Sequence, residues 1–110
     1  MKIHWKALPA KTQKGDRALY ETLIFEAWVK DFRIGWINAS FFYDEGGDRH
    51  FNELSATSAV IKTRKNFATY LGNPVAYKRI GTAAMLGDYT EIQKWVEDQW
   101  NSMLQKAGIF

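Results

Sequence analysis

Between residues 33 and 43 the chain alternates, with Ile34, Trp36, Asn38, Ser40 and Phe42 on one side of an extended backbone and Gly35, Ile37, Ala39, Phe41 and Tyr43 on the other. Both sets carry large apolar groups, which suits a strand covered on both faces, so this run predicts the central strand of a sheet. Residues 19–29 fit two patterns: Leu23, Phe25, Ala27 and Val29 alternate, while Tyr20, Leu23, Ile24, Ala27 and Trp28 also share one helical face. The density of β-branched and aromatic residues, and the need of the central run for an antiparallel partner, favour a strand that reverses near residues 30–33. Residues 3–8 predict a short strand closed by Pro9, and residues 11–15 read as a polar, mobile loop without an apolar anchor.

Asp44, Glu45, Gly46, Gly47 and Asp48 form the clearest turn, with two glycines between apolar runs, and predict a hairpin whose return strand covers about residues 49–53. Ser55 is placed to cap a helix over 55–71, stopped by Gly72 and Pro74. Residues 73–87 predict a short irregular helix. Asp88 with Glu91 three positions on is a capping-box arrangement, after which Tyr89, Ile92, Val96, Trp100, Met103 and Ala107 keep one helical face until Gly108. The expected fold class is therefore α+β: a three- or four-stranded antiparallel sheet followed by two main helices packed on one face. The 110 residues make one domain spanning 1–110, and 46% hydrophobic content is enough for its core.

Composition narrows the chemistry. The chain has no cysteine, which removes disulfides, thiolate nucleophiles and zinc–thiolate sites together. With no apolar signal core or membrane-length apolar run, the expected setting is cytoplasmic, without membrane contact. The linear signatures of the common hydrolases, metalloproteases, phosphate loops and dinucleotide sites are absent, so the expectation is a non-enzymatic protein without a cofactor. Asp44, Glu45, Asp48 and His50 could ligate a cation, but their spacing matches no known metal loop, and they read as a solvated hairpin tip.

The net charge is only +3, yet the charges are blocked along the chain. Residues 1–15 carry four lysines and no acid, 16–53 eight acids and four bases, and 54–87 five bases and no acid. On the expected 55–71 helix, Ser58, Lys62, Lys65, Asn66 and Thr69 share a polar, basic face, which Lys78 and Arg79 extend. Lysines and small polar side chains suit phosphate contacts, so the function expected is nucleic-acid binding, to DNA or RNA, with Lys62, Lys65, Asn66, Lys78 and Arg79 as candidate residues. Tyr20, Trp28, Trp36 and Phe42 could form a platform on which bases stack, but a helix-covered sheet needs such residues in its core, and core is the reading taken. The alternative is a protein-binding adaptor or inhibitor anchored by Trp95, which lies outside the apolar arc of the last helix. Arg64 falls by helical phase on the core side. It is expected either to pair with a carboxylate such as Glu21 or Glu26 or to lie at the rim with its head in water.

Overall fold

In the computed structural model, which describes residues 2–16, 18–60, 62–68, 72–106 and 108, the chain runs through six strands and then two long helices. The strands are β1 (His4–Ala7), β2 (Lys11–Lys14), β3 (Leu19–Val29), β4 (Phe32–Tyr43), β5 (Arg49–Ser58) and β6 (Thr63–Asn66). The helices are α1 (Pro74–Met85) and α2 (Thr90–Lys106). All pairings are antiparallel, in the order β1-β3-β4-β5-β6, with β2 also on β3. β1 pairs with the second half of β3 and β2 with the first, so these two occupy a single edge and the sheet has five strand positions. The fold is α+β, as expected, with a larger sheet than the three or four strands predicted.

The expected strands over 19–29 and 33–43 are present as β3 and β4, the longest paired elements of the sheet. Two expectations are corrected. Residues 11–14 are not a free loop: Pro9 only interrupts the edge, Leu8 N–H still donates to the Ile24 carbonyl at 2.9 Å, and the chain resumes pairing as β2. Of the helix expected over 55–71, residues 55–66 are instead in the hairpin of β5 and β6, and only Phe67 and Ala68 are helical among the described residues; residues 61 and 69–71 of that range lie outside them. β5 runs on past Glu53 because β4 offers a ladder as far as Gly35, opposite Ser58. Forming that ladder pairs the backbone of β5 with β4 and buries Leu54, Ala56 and Ser58. Local helical phase does not compete with it.

The helices follow their start signals. Asn73 accepts from the Val75 and Ala76 backbone N–H groups while Pro74 occupies the first turn, so residues 73–87 contain a regular helix rather than an irregular one. The Asp88 carboxylate accepts from the Thr90 N–H at 3.1 Å. The reciprocal half of the expected capping box does not form, because the Asp88 N–H already donates to the Ala83 carbonyl and Glu91 pairs with Arg79 at 2.8 Å.

β-ladder register sorts the side chains onto two sides. Trp5, Phe25, Ala27, Gly35, Ile37, Ala39 and Phe41 share one, with Leu54 and Ala56 from β5. On this side Trp100 of α2 lies 6.3 Å from Trp5, Tyr89 lies 4.4 Å from Phe25, and Tyr77 of α1 lies 5.5 Å from Phe51. At Gly35 the sheet lies close against α2: a Cβ there would stand 2.5 Å from a Trp100 ring carbon and overlap the Thr57 carbonyl oxygen. Ile37, Ala39, Phe41, Leu54, Ile92, Val96 and Leu104 are all buried in this layer.

Candidate functional site

The opposite side of the sheet has a different chemistry. Along β4 it carries Arg33, Trp36, Asn38, Ser40 and Phe42; β3 adds Tyr20, Thr22, Ile24 and Glu26, and β5 and β6 add His50, Glu53, Ser55, Thr57 and Arg64. Two β-bulges shape it. The one between Ala27 and Trp28 turns Arg33 back onto the same side as Trp36, and the one between Ser40 and Phe41 lets Asn52 donate to the Ser40 hydroxyl at 3.2 Å.

Three zones follow one another. At one end Arg33 lies over the Trp36 ring, 4.8 Å from its centroid, and is held there by Glu26 at 3.0 Å. At the other end His50 stacks on Phe42, with centroids 4.8 Å apart and planes 17° from parallel, and Tyr20 stands 6.5 Å from Phe42. Trp36 and Phe42 are six positions apart on one strand, about 20 Å at the usual rise per residue. Between them is a polar hollow of about 200 Å³ lined by Thr22, Asn38, Ser40, Glu53, Ser55 and Arg64.

The acids of this side are held by bases. Glu26 is paired with Arg33, Glu53 with Arg64 at 2.9 Å, and Asp44 with His50 at 2.8 Å. The His50 hydrogen bond is the main reason that the Asp44 carboxyl is held below its ordinary value, helped by the Asp48 N–H. Lys6 and Lys11 stand opposite Glu26 and Thr22 along one edge, exposed and without an ion pair among the described residues, and Lys62 stands exposed in the turn before β6. Lys62 has φ of 57°, in the left-handed region that residues other than glycine seldom adopt. Two buried polar atoms on this side, Trp28 Nε1 and Asn38 Oδ1, have no hydrogen-bond partner among the described residues.

The expected basic helix face does not exist as such. Lys62 is at the hairpin turn, Lys65 stands opposite Ala56, and Asn66 stands opposite Ser55 with its side chain accepting from the Ala68 N–H at 2.8 Å. Lys78 and Arg79 are on α1, which meets β5 at Phe51, seven positions from the Ser58 end where Lys62 lies, roughly 23 Å by strand rise. Lys78 lines a groove of about 410 Å³ with Arg49, His50 and Tyr77, and Arg79 is paired with Glu91. Arg64 pairs neither with Glu21 nor with Glu26, which are taken by Arg49 and Arg33; it reaches Glu53, with its own side chain 61% exposed. Trp95 is half-buried, 5.4 Å from the Phe67 ring, and more exposed than the buried Trp100, as its helical phase predicts. It packs against the core and is not an open anchor.

The assignment of Tyr20, Trp36 and Phe42 to the core is corrected: the sheet carries a full apolar layer without them, and they lie on the other side. The signal was in the alternation itself, since Asn38 and Ser40 interrupt the Trp36-to-Phe42 set whereas nothing polar interrupts Gly35, Ile37, Ala39 and Phe41. Among the described residues no helix is long and apolar enough to cross a membrane, and no group of three acidic, histidine or cysteine side chains is placed to hold a metal. No known protein family, curated protein or solved structure matches the chain.

Proposed function

We propose that this is a non-enzymatic binding module for single-stranded DNA or RNA, and that both helices cover one side of the sheet so that the Arg33-to-Arg64 side is the binding surface. The observation that carries the reading is the sequence of zones along β4: a cation-capped tryptophan, a polar hollow, then a stacked Phe42–His50 pair. Flat rings and guanidinium planes set along a sheet suit unstacked bases, whose faces a duplex hides. The face also has the right electrostatics. Glu26 and Glu53 are each neutralised by a paired arginine, and Lys6, Lys11 and Lys62 at its margins are left to meet phosphates. In this reading Lys62 and Asn66 belong to the margin of the site, Lys78 borders its Phe42–His50 end through the groove it lines with His50, and Arg79 is engaged by Glu91.

Fluorescently labelled single-stranded and duplex oligonucleotides at low salt test the proposal. The expected result is binding of the single strand in preference to the duplex, with an affinity that falls steeply with salt as counterions are released. Trp36→Ala should weaken it by roughly tenfold or more, since a stacked base contributes about 1–3 kcal/mol. Absence of binding at low salt, or an unchanged affinity in Trp36→Ala, overturns it.

A further inference from the structure

We infer that the hollow between Trp36 and Phe42 receives the hydrogen-bonding edge of one base and gives the protein a base preference, an inference that rests on the single-strand reading above. Its volume of about 200 Å³ is below that of an ordinary small-molecule pocket, and admits a flat fragment rather than a whole nucleotide. Asn38 lines the hollow, and its amide oxygen is buried with no hydrogen-bond partner among the described residues. Native proteins rarely leave such an acceptor unserved, and a turn of the side chain toward the hollow would offer it to a base N–H.

The remaining groups complement the rest of a base edge. Arg64 spends one nitrogen on Glu53, with Ser55 Oγ 3.5 Å from the same atom, and its guanidinium has further N–H donors. The Ser40 hydroxyl accepts from Asn52, so its own hydrogen remains to be donated, and Thr22 adds a second hydroxyl. Donors and acceptors therefore stand side by side. A phosphate offers acceptors only, and here it would meet the Glu53 carboxylate and the Asn38 carbonyl; a base edge offers both kinds of group. Position favours a base as well, because Asn38 follows Trp36 by two residues and Ser40 precedes Phe42 by two, about 7 Å in each case. Bases stacked at the two ends would leave a base between them splayed over the hollow.

The test uses four labelled homopolymers of equal length at one low salt concentration, with the parent protein, Asn38→Ala and the isosteric Thr22→Val. The parent should bind one homopolymer at least about tenfold more tightly than the weakest, within the usual range for a bidentate side-chain contact to a base. Asn38→Ala should compress that spread to about twofold, and Thr22→Val should narrow it. Equal binding of all four by the parent, or a spread that survives Asn38→Ala, overturns the inference and leaves the single-strand reading standing. If the parent binds none of them, the single-strand reading fails and takes the inference with it.

Discussion

Gly35→Ala is the sharpest test of how the two sides of the sheet are distinguished. Gly35 sits where β4 passes between β5 and Trp100 of α2, and an added methyl would overlap the Thr57 carbonyl oxygen and stand 2.5 Å and 2.8 Å from two Trp100 ring carbons. The ring could shift if it were alone, but Thr57 and its neighbours are ladder backbone, with Gly35 paired to Ser58 and Trp36 to Thr57, and that ladder cannot open without losing hydrogen bonds. Inserting a methylene into a packed core costs about 1–3 kcal/mol, and the backbone obstacle places this substitution at the top of that range. A loss of about 3 kcal/mol is a large share of the 5–15 kcal/mol typical of a domain. It corresponds to a fall in melting temperature on the order of 10–20 °C. Urea unfolding followed by tryptophan fluorescence measures it. In a Trp100→Leu background the same substitution should cost less by roughly 0.5–1 kcal/mol or more, the coupling expected of residues in contact. A loss below about 0.5 kcal/mol in the parent background would mean that α2 is not seated on Gly35, and the division into a covered and an open side would fail with it.

Arg64→Met should cost less than about 1 kcal/mol in urea unfolding, because both members of the Arg64–Glu53 pair are well exposed, at 61% and 38%; a larger loss would reveal a buried pair. Asp44, held below the usual 3.8 by His50, contributes stability that is present above that value and lost as pH falls through the lowered one, so Asp44→Asn should flatten the acid limb of a stability profile; an unchanged acid limb contradicts the Asp44–His50 bond. Tyr77 and Tyr89 are raised above the usual 10 by burial, so an ultraviolet titration should find both ionising above that value, with stability falling as the alkaline limb is climbed; ionisation of either at or below it would refute its burial. Iodide should quench Trp95 more than Trp100 in single-tryptophan variants, and the reverse order would overturn the phase of α2.

The strands that were legible in the sequence are those whose side chains alternate strongly. β3 and β4 are dense in β-branched and aromatic residues, and their pairing needs only a tight turn at residues 30 and 31, where Lys30 adopts φ of 52°. β5 and β6 were not legible, because Ser55, Ala56, Thr57 and Ser58 are small on both sides and give hardly any period. Their strand conformation is imposed from outside by the β4 ladder. β2 was hidden for a related reason: Lys11, Thr12, Gln13 and Lys14 bury nothing and are held by backbone pairing with β3 alone. The candidate site was half visible. Trp36, Phe42 and Tyr20 drew notice as rings, but Asn38, Ser40 and Thr22 only acquire meaning once register sets them beside Glu53, Ser55 and Arg64 from strands far along the chain.

The five tryptophans report on both sides of the sheet at once, and their indole N–H resonances give the most direct test of the central claim. Trp28 and Trp36 stand on the proposed binding face, opposite His4 and Glu26, whereas Trp5, on the other side of the sheet, packs with Trp100, and Trp95 lies against Phe67. Titration with a single-stranded oligonucleotide at low salt should shift the Trp28 and Trp36 signals and leave those of Trp5, Trp95 and Trp100 in place. Shifts confined to Trp95 and its neighbours, or no shift at all, would contradict the account.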